Sequence, residues 1–165
     1  MRVKEIKLYQ FNELSDAAKE VAIGKNSEIN VDYQWWEFTY EDAAQIGLKT
    51  DSFDLCRGSY VNGNFTLSAA EVAANILSAH GESCDTFKTT TKFMEEWQPI
   101  FNRYMETEKG EDELLEIEEQ FLKDICEDYR IILQNEYEYL TSSKAIYETL
   151  IANEYEFTEE GKINY

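Results

Sequence analysis

Apolar and polar side chains interleave in the opening segment, where Val3, Ile6, Leu8 and Tyr9 are set among Lys4, Glu5 and Lys7. This imperfect period of two predicts a half-buried strand. Beyond Phe11 the spacing changes. Ser15 stands where a capping hydroxyl belongs, Asp16 supplies a first-turn acid, and Ala18, Val21, Ala22 and Ile23 recur at helical intervals. A helix ending near Gly24 is predicted there. A second helix is expected over residues 33–46, carrying Trp35, Trp36, Phe38 and Tyr40 and stopping at Gly47.

Residues 52–67 hold two short apolar stretches separated by Gly, Ser and Asn, a pattern for two strands joined by a turn. Ser68-Ala69-Ala70-Glu71 is a capping box, and the helix it opens carries Val72, Ala73, Ile76 and Leu77 before closing at His80-Gly81. Residues 86–106 have a helical pattern that Pro99 should break or kink. Residues 111–140 read as one helix of about 45 Å at 1.5 Å per residue, followed by a shorter one over 143–152. The tail EYEFTEEGKINY alternates around a Glu-Gly pair, predicting a final hairpin able to add to the N-terminal strand. The expected fold is α+β in a single domain over 1–165: a small antiparallel sheet packed with helices, plus a long acidic helical hairpin protruding over 86–140.

Charge changes the picture more than size does. The chain has 165 residues, 43% apolar and 14% aromatic, enough for a sizeable core. Its formal charge is −19, from 34 acidic and 15 basic residues, beyond the magnitude of about 2–8 that suffices for solubility in a small domain. Such a field repels free nucleic acid and anionic lipid, so a partner should be basic. The surplus is uneven. Residues 111–165 hold 16 acids against 4 bases, whereas residues 1–110 hold 18 against 11. No apolar run approaches the roughly 20 residues of a spanning helix, and the opening MRVKEIKLYQ does not read as a signal peptide. Cys56, Cys84 and Cys126 form an odd, dispersed set without a CxxC pair, which favours packed thiols in a reducing cytoplasm over a disulfide framework or zinc knuckle.

Advancing by about 100° per residue along 111–134 groups Leu114, Phe121, Leu122, Ile125, Tyr129 and Ile132 on one side, with Asp112, Glu116, Glu119 and Glu127 opposite. Carboxylates one turn apart lie about 5–6 Å from one another on a helix, a spacing that resembles successive phosphates. A rigid row of them suits a cationic channel built for a nucleic-acid backbone. The candidate partner-binding residues are therefore Glu111, Asp112, Glu113, Glu116, Glu119, Asp124 and Glu127. The ordinary alternative is a solvated face with ion pairs from Glu119 to Lys123, Lys123 to Glu127 and Glu127 to Arg130. Glu118 falls among the apolar residues and needs either an exit to solvent or a partner such as a Tyr hydroxyl.

Other chemistry is sparse. His80, the lone histidine, is placed to complement a helix C-terminus. Cys84, four residues on, would begin a metal site only with Cys56 beside it. No phosphate-binding Gly-rich loop, HExxH or calcium loop occurs, so no metal or cofactor is expected. The run Tyr33-Gln34-Trp35-Trp36-Glu37-Phe38-Thr39-Tyr40 has no Lys or Arg for base stacking. Its rings cannot all face inward, so Trp35, Trp36 and Tyr40 are a candidate aromatic patch for a protein partner.

The segments IKLYQFNELSDAAKEVAI, VDYQWWEF, FDLCRGSYVNGNFTLSAAEVAANIL, HGESCDTFKT, FLKDICEDYRIILQNEYEYLTS and ANEYEFTEEGKI together resemble a family of small acidic proteins of phages, prophages and mobile elements, some labelled antitoxin-like. That resemblance implies a mobile-element origin and a role in the cytoplasm of a bacterial host. Joined to the charge, it leads to the expectation of a non-enzymatic inhibitor of a host defence nuclease. Such an anti-CRISPR protein would act stoichiometrically as a nucleic-acid mimic on a basic protein or ribonucleoprotein, with a Cas9-type effector as leading target. The alternatives are an antitoxin for a basic toxin and a small enzyme using His80 and Cys84.

Overall fold

The computed structural model describes residues 6–164; Val3, Lys4 and Glu5 of the predicted opening strand lie outside the described residues. The fold is α+β. Its elements are β1 (Tyr9–Gln10), α1 (Asp16–Lys25), α2 (Glu37–Ile46), β2 (Leu48–Asp54), β3 (Tyr60–Phe65), α3 (Ala69–Ala79), α4 (Asp85–Thr107), α5 (Glu111–Leu140), α6 (Ser143–Ala152) and β4 (Glu156–Phe157). The strands form two antiparallel pairs, β1 with β4 and β2 with β3, in place of one small sheet. By packing, the chain divides into two compact units. One comprises the segment up to Trp35 and that from Asn135 onward; the other spans Trp36–Gln134.

In the first unit, Ser15 caps α1 by accepting from the Ala18 N–H, and Ser142 caps α6 by accepting from Ala145. Apolar side chains of these helices meet Phe11, Leu14 and Phe157 in a core that includes Ala22, Ile146 and Leu150. Tyr9 pairs with Phe157, which also bridges antiparallel to Ile163, so the tail does fold back and complete a small sheet with β1. The return passes Gly161 at φ +79°, where a Cβ would overlap the Ala18 carbonyl. Only glycine satisfies both demands.

In the second unit, α2 ends at Gly47, whose φ of +96° and N–H bonds to the Ala43 and Ala44 carbonyls close the helix. β2 and β3 pair from Leu48↔Phe65 to Asp54↔Tyr60, with a bulge between Thr50 and Ser52. α3 opens with the predicted capping box: Ser68 Oγ accepts from the Glu71 N–H at 3.3 Å, and Glu71 Oε2 accepts from the Ser68 N–H at 3.0 Å. Ser68→Ala removes that cap and is expected to cost about 1 kcal/mol, read as a lower urea midpoint with an unchanged slope.

Two expectations need correction. The helix predicted over 33–46 begins only at Glu37: Trp36 occupies its N-cap position in αR geometry, with no side-chain cap, and Trp35 precedes it. Trp35 is buried against Tyr137 in the first unit, and Trp36 packs on Phe53 in the second. The boundary between the units falls between these two rings. Of the break or kink expected at Pro99, the break does not occur: α4 runs from Asp85 to Thr107 through it. Side chains on both sides of the proline hold α4 to α5. Phe93 stacks on Phe121 with centroids 4.0 Å apart, the Trp97 indole N–H donates to Glu118 at 2.8 Å, and Arg103 pairs with Glu113. They join the two helices on either side of the residue that lacks a donor. They also answer the question of Glu118, whose partner is an indole.

Candidate partner-binding surface

α5 carries the candidate array. Its first turn presents Glu111, Asp112 and Glu113 at the positive end of the helix, which stabilises acids there irrespective of any partner. Glu116 and Glu119 follow, exposed, then half-buried Asp124 and exposed Glu127.

Three of the seven carboxylates are engaged. Glu113 pairs with Arg103 of α4. Asp124 Oδ1 accepts from Gln120 Nε2 at 2.7 Å. Glu127 holds Arg130 bidentately, at 2.8 Å from Nε and 2.7 Å from Nη2, and the guanidinium keeps its carboxyl below the ordinary range. Among the described residues, however, no ion pair joins Lys123 to Glu119 or Glu127. Glu111, Asp112, Glu116 and Glu119 likewise make no ion pair. The open part of the array is therefore the N-terminal third of α5.

The packed face of α5 differs from its sequence pattern. Phe121, Ile125 and Tyr129 are buried as expected, but Ile132 is 40% exposed, while Cys126, Asp128 and Leu133 are buried. The helix packs against both α4 and β3, which widens and rotates the buried arc. Asp128 is the one buried acid among the described residues. Its Oδ2 has no hydrogen-bond partner, and burial pushes its carboxyl up, against the opposing effect of the Thr89 hydroxyl. Flanking Ile125 and Tyr129 were the sequence signal for its position.

The sign of the resulting pH dependence is definite. The folded carboxyl binds its proton more tightly than the unfolded one, so ionisation destabilises the fold as pH rises through the ordinary carboxylate range. The penalty is fully developed above the raised folded value and absent below the unfolded one. Asp128→Asn is accordingly expected to raise Tm at pH 7 by about 2–4 °C, with the gain vanishing near about pH 3 in thermal melts across that range.

His80 closes α3 through its backbone N–H to the Ile76 carbonyl. Its Nδ1 lies 2.7 Å from Thr86 Oγ1, and its buried Nε2 lies 3.7 Å from Asp42 Oδ2. The same Asp42 oxygen accepts from the Tyr129 hydroxyl at 2.7 Å, and burial together with that carboxylate raises the phenol. Asp42 thus ties α2 to α5 and faces α3, a role invisible in the sequence because its partners lie 38 and 87 residues away. No hydrogen bond links His80 to Cys84, which is exposed as the N-cap residue of α4. Cys56 is exposed as well, so of the three thiols expected to be packed only Cys126 is. Among the described residues no group of three His, Cys, Asp or Glu side chains could hold a metal ion.

The proposed aromatic patch is not one surface. Trp35 is buried, and Trp36 and Tyr40 both lean on Phe53. The exposed rings of this run are Phe38, 80% exposed, and Tyr33. No helix of the described residues is long and apolar enough to cross a membrane.

No protein-family model matches the chain, and no curated protein or solved structure matches it.

Proposed function

We propose that the protein is a stoichiometric inhibitor that occupies the basic nucleic-acid channel of a host defence nuclease in the bacterial cytoplasm. A Cas9-type CRISPR effector is the leading target. The observation that carries this reading is the set of exposed carboxylates Asp112, Glu116 and Glu119 on the first turns of a 30-residue helix, without ion-pair partners, in a chain of formal charge −19. At about 100° per residue these three fall within an arc of about 60°. A Lys or Arg that holds a phosphate responds equally to a carboxylate at that position, because both supply negative potential and acceptor oxygens. The helix forms within the chain by itself, so little ordering entropy is lost on association.

The test is binding to immobilised effector, with and without its guide RNA, in competition with target duplex. Binding in a 1:1 ratio is expected, displaced by duplex and lost as NaCl rises from about 0.1 to 0.5 M, where charges more than several Å apart are screened. Binding that persists unchanged at about 1 M salt, or that duplex leaves untouched, overturns the mimic. Capture of a small basic toxin that duplex does not displace favours the antitoxin.

A further inference from the structure

We propose that the cleft between α4 and α5 receives a single arginine side chain of the partner. This rests on the reading of the protein as a ligand for a basic surface, and it adds a pocket that shares Glu116 and Asp124 with the carboxylate array.

The cleft encloses about 250 Å³, less than the roughly 300–1,000 Å³ of pockets that take drug-sized ligands and suited to one long side chain. Its apolar part is formed by Phe93, Ile117 and Phe121, and its acids are Glu96, Glu116 and Asp124. Lys92 is the only cation of the lining, so the site is net acidic. Asp124 retains one oxygen after bonding Gln120 through the other. Thr89 lines the cleft beside these acids.

Each part of an arginine has a counterpart here. The methylenes cover the apolar residues, and the planar guanidinium offers five N–H donors to carboxylates from both helices. A phosphate is repelled by the three acids. Lysine presents a compact, strongly hydrated ammonium, which loses more solvation in a cleft with apolar walls and cannot bond two carboxylates in a fork.

The experiment is an NMR titration of the full chain with N-acetyl-arginine N-methylamide, using its citrulline and lysine counterparts as neutral and ammonium controls. Saturable shifts centred on Thr89, Ile117 and Gln120 are expected with arginine, at least several-fold weaker with lysine and absent with citrulline. Glu96→Gln with Asp124→Asn should weaken arginine binding about tenfold, and Lys92→Ala should tighten it. The proposal is overturned if citrulline matches arginine, if lysine binds equally well, or if the shifts spread over acids of the first unit such as Glu20 and Glu159. Because Glu116 is shared, the two are separated by partner capture with the Glu96→Gln, Asp124→Asn variant, which leaves Asp112, Glu116 and Glu119 in place. Arginine binding without capture keeps the cleft and removes the inhibitor, and capture without arginine binding does the reverse.

Discussion

If the proposed function holds, replacing Asp112 by Asn and both Glu116 and Glu119 by Lys is expected to weaken capture of the proposed basic partner by about a hundredfold or more, with helical circular dichroism and Tm near wild type. Among the described residues these three exposed side chains carry no ion pair, so none is lost, although Glu116 also lines the α4–α5 cleft. Asp112 is neutralised and not reversed because a cation in the first turn would oppose the helix dipole. Glu127 is left alone because its bidentate bond to Arg130 is structural. The variant changes the formal charge from −19 to −14, which by itself reduces long-range attraction. A control with Glu20→Lys, Glu28→Lys and Asp32→Asn makes the same change on exposed positions of the first unit. An array acting through position leaves the control within a few-fold of wild type; equal losses in both variants would mean that bulk charge alone drives association. Surface plasmon resonance at two salt concentrations separates these outcomes.

Phe121→Ala is expected to produce the largest loss of stability, about 3–5 kcal/mol. The ring is 2% exposed, stacked on Phe93 at 4.0 Å and 9°, with Phe65 of β3 on it at 5.5 Å. It therefore joins α4, α5 and the β2–β3 pair at one point. Removing it leaves a cavity that three separate elements cannot close together, so both the transfer loss and the cavity cost are incurred. Against a total of about 5–15 kcal/mol for a domain of this kind, the substitution approaches unfolding. Phe38→Ala is the contrast. That ring is 80% exposed, and its loss should change stability by less than about 0.5 kcal/mol. Urea titrations of the two variants give the comparison; similar losses would mean that Phe121 is not the keystone.

Elements whose signals are local are legible in the sequence. α5 and α6 occupy the predicted 111–140 and 143–152, and the Ser15 and Ser68 caps lie where the pattern put them. A cap, a period of 3.6 and a terminal glycine each depend on neighbours within a turn or two. The start of α2 and the continuity of α4 were not legible. At the first, Trp36 takes the N-cap position with no side-chain cap to mark it; at the second, the helix passes through a proline, a residue type that predicts a stop. Of the candidate array, the outward position of the acids could be read from the helical period. Which acids are engaged could not, since Arg103 reaches Glu113 only through the pairing of α4 with α5.

What the chain determined by itself is the quantity and placement of charge along it, the helical period of α5, and the caps that start α1 and α3. Tertiary structure alone decided which carboxylates stay open, that Asp128 is drawn under the surface, and that Asp42 holds Tyr129. It also made a cleft of Phe93, Ile117 and Phe121 beside Glu96 and Glu116. The physical reason is range: capping and amphipathicity are settled within a few residues, whereas burial and ion pairing depend on side chains brought together from distant points in the sequence.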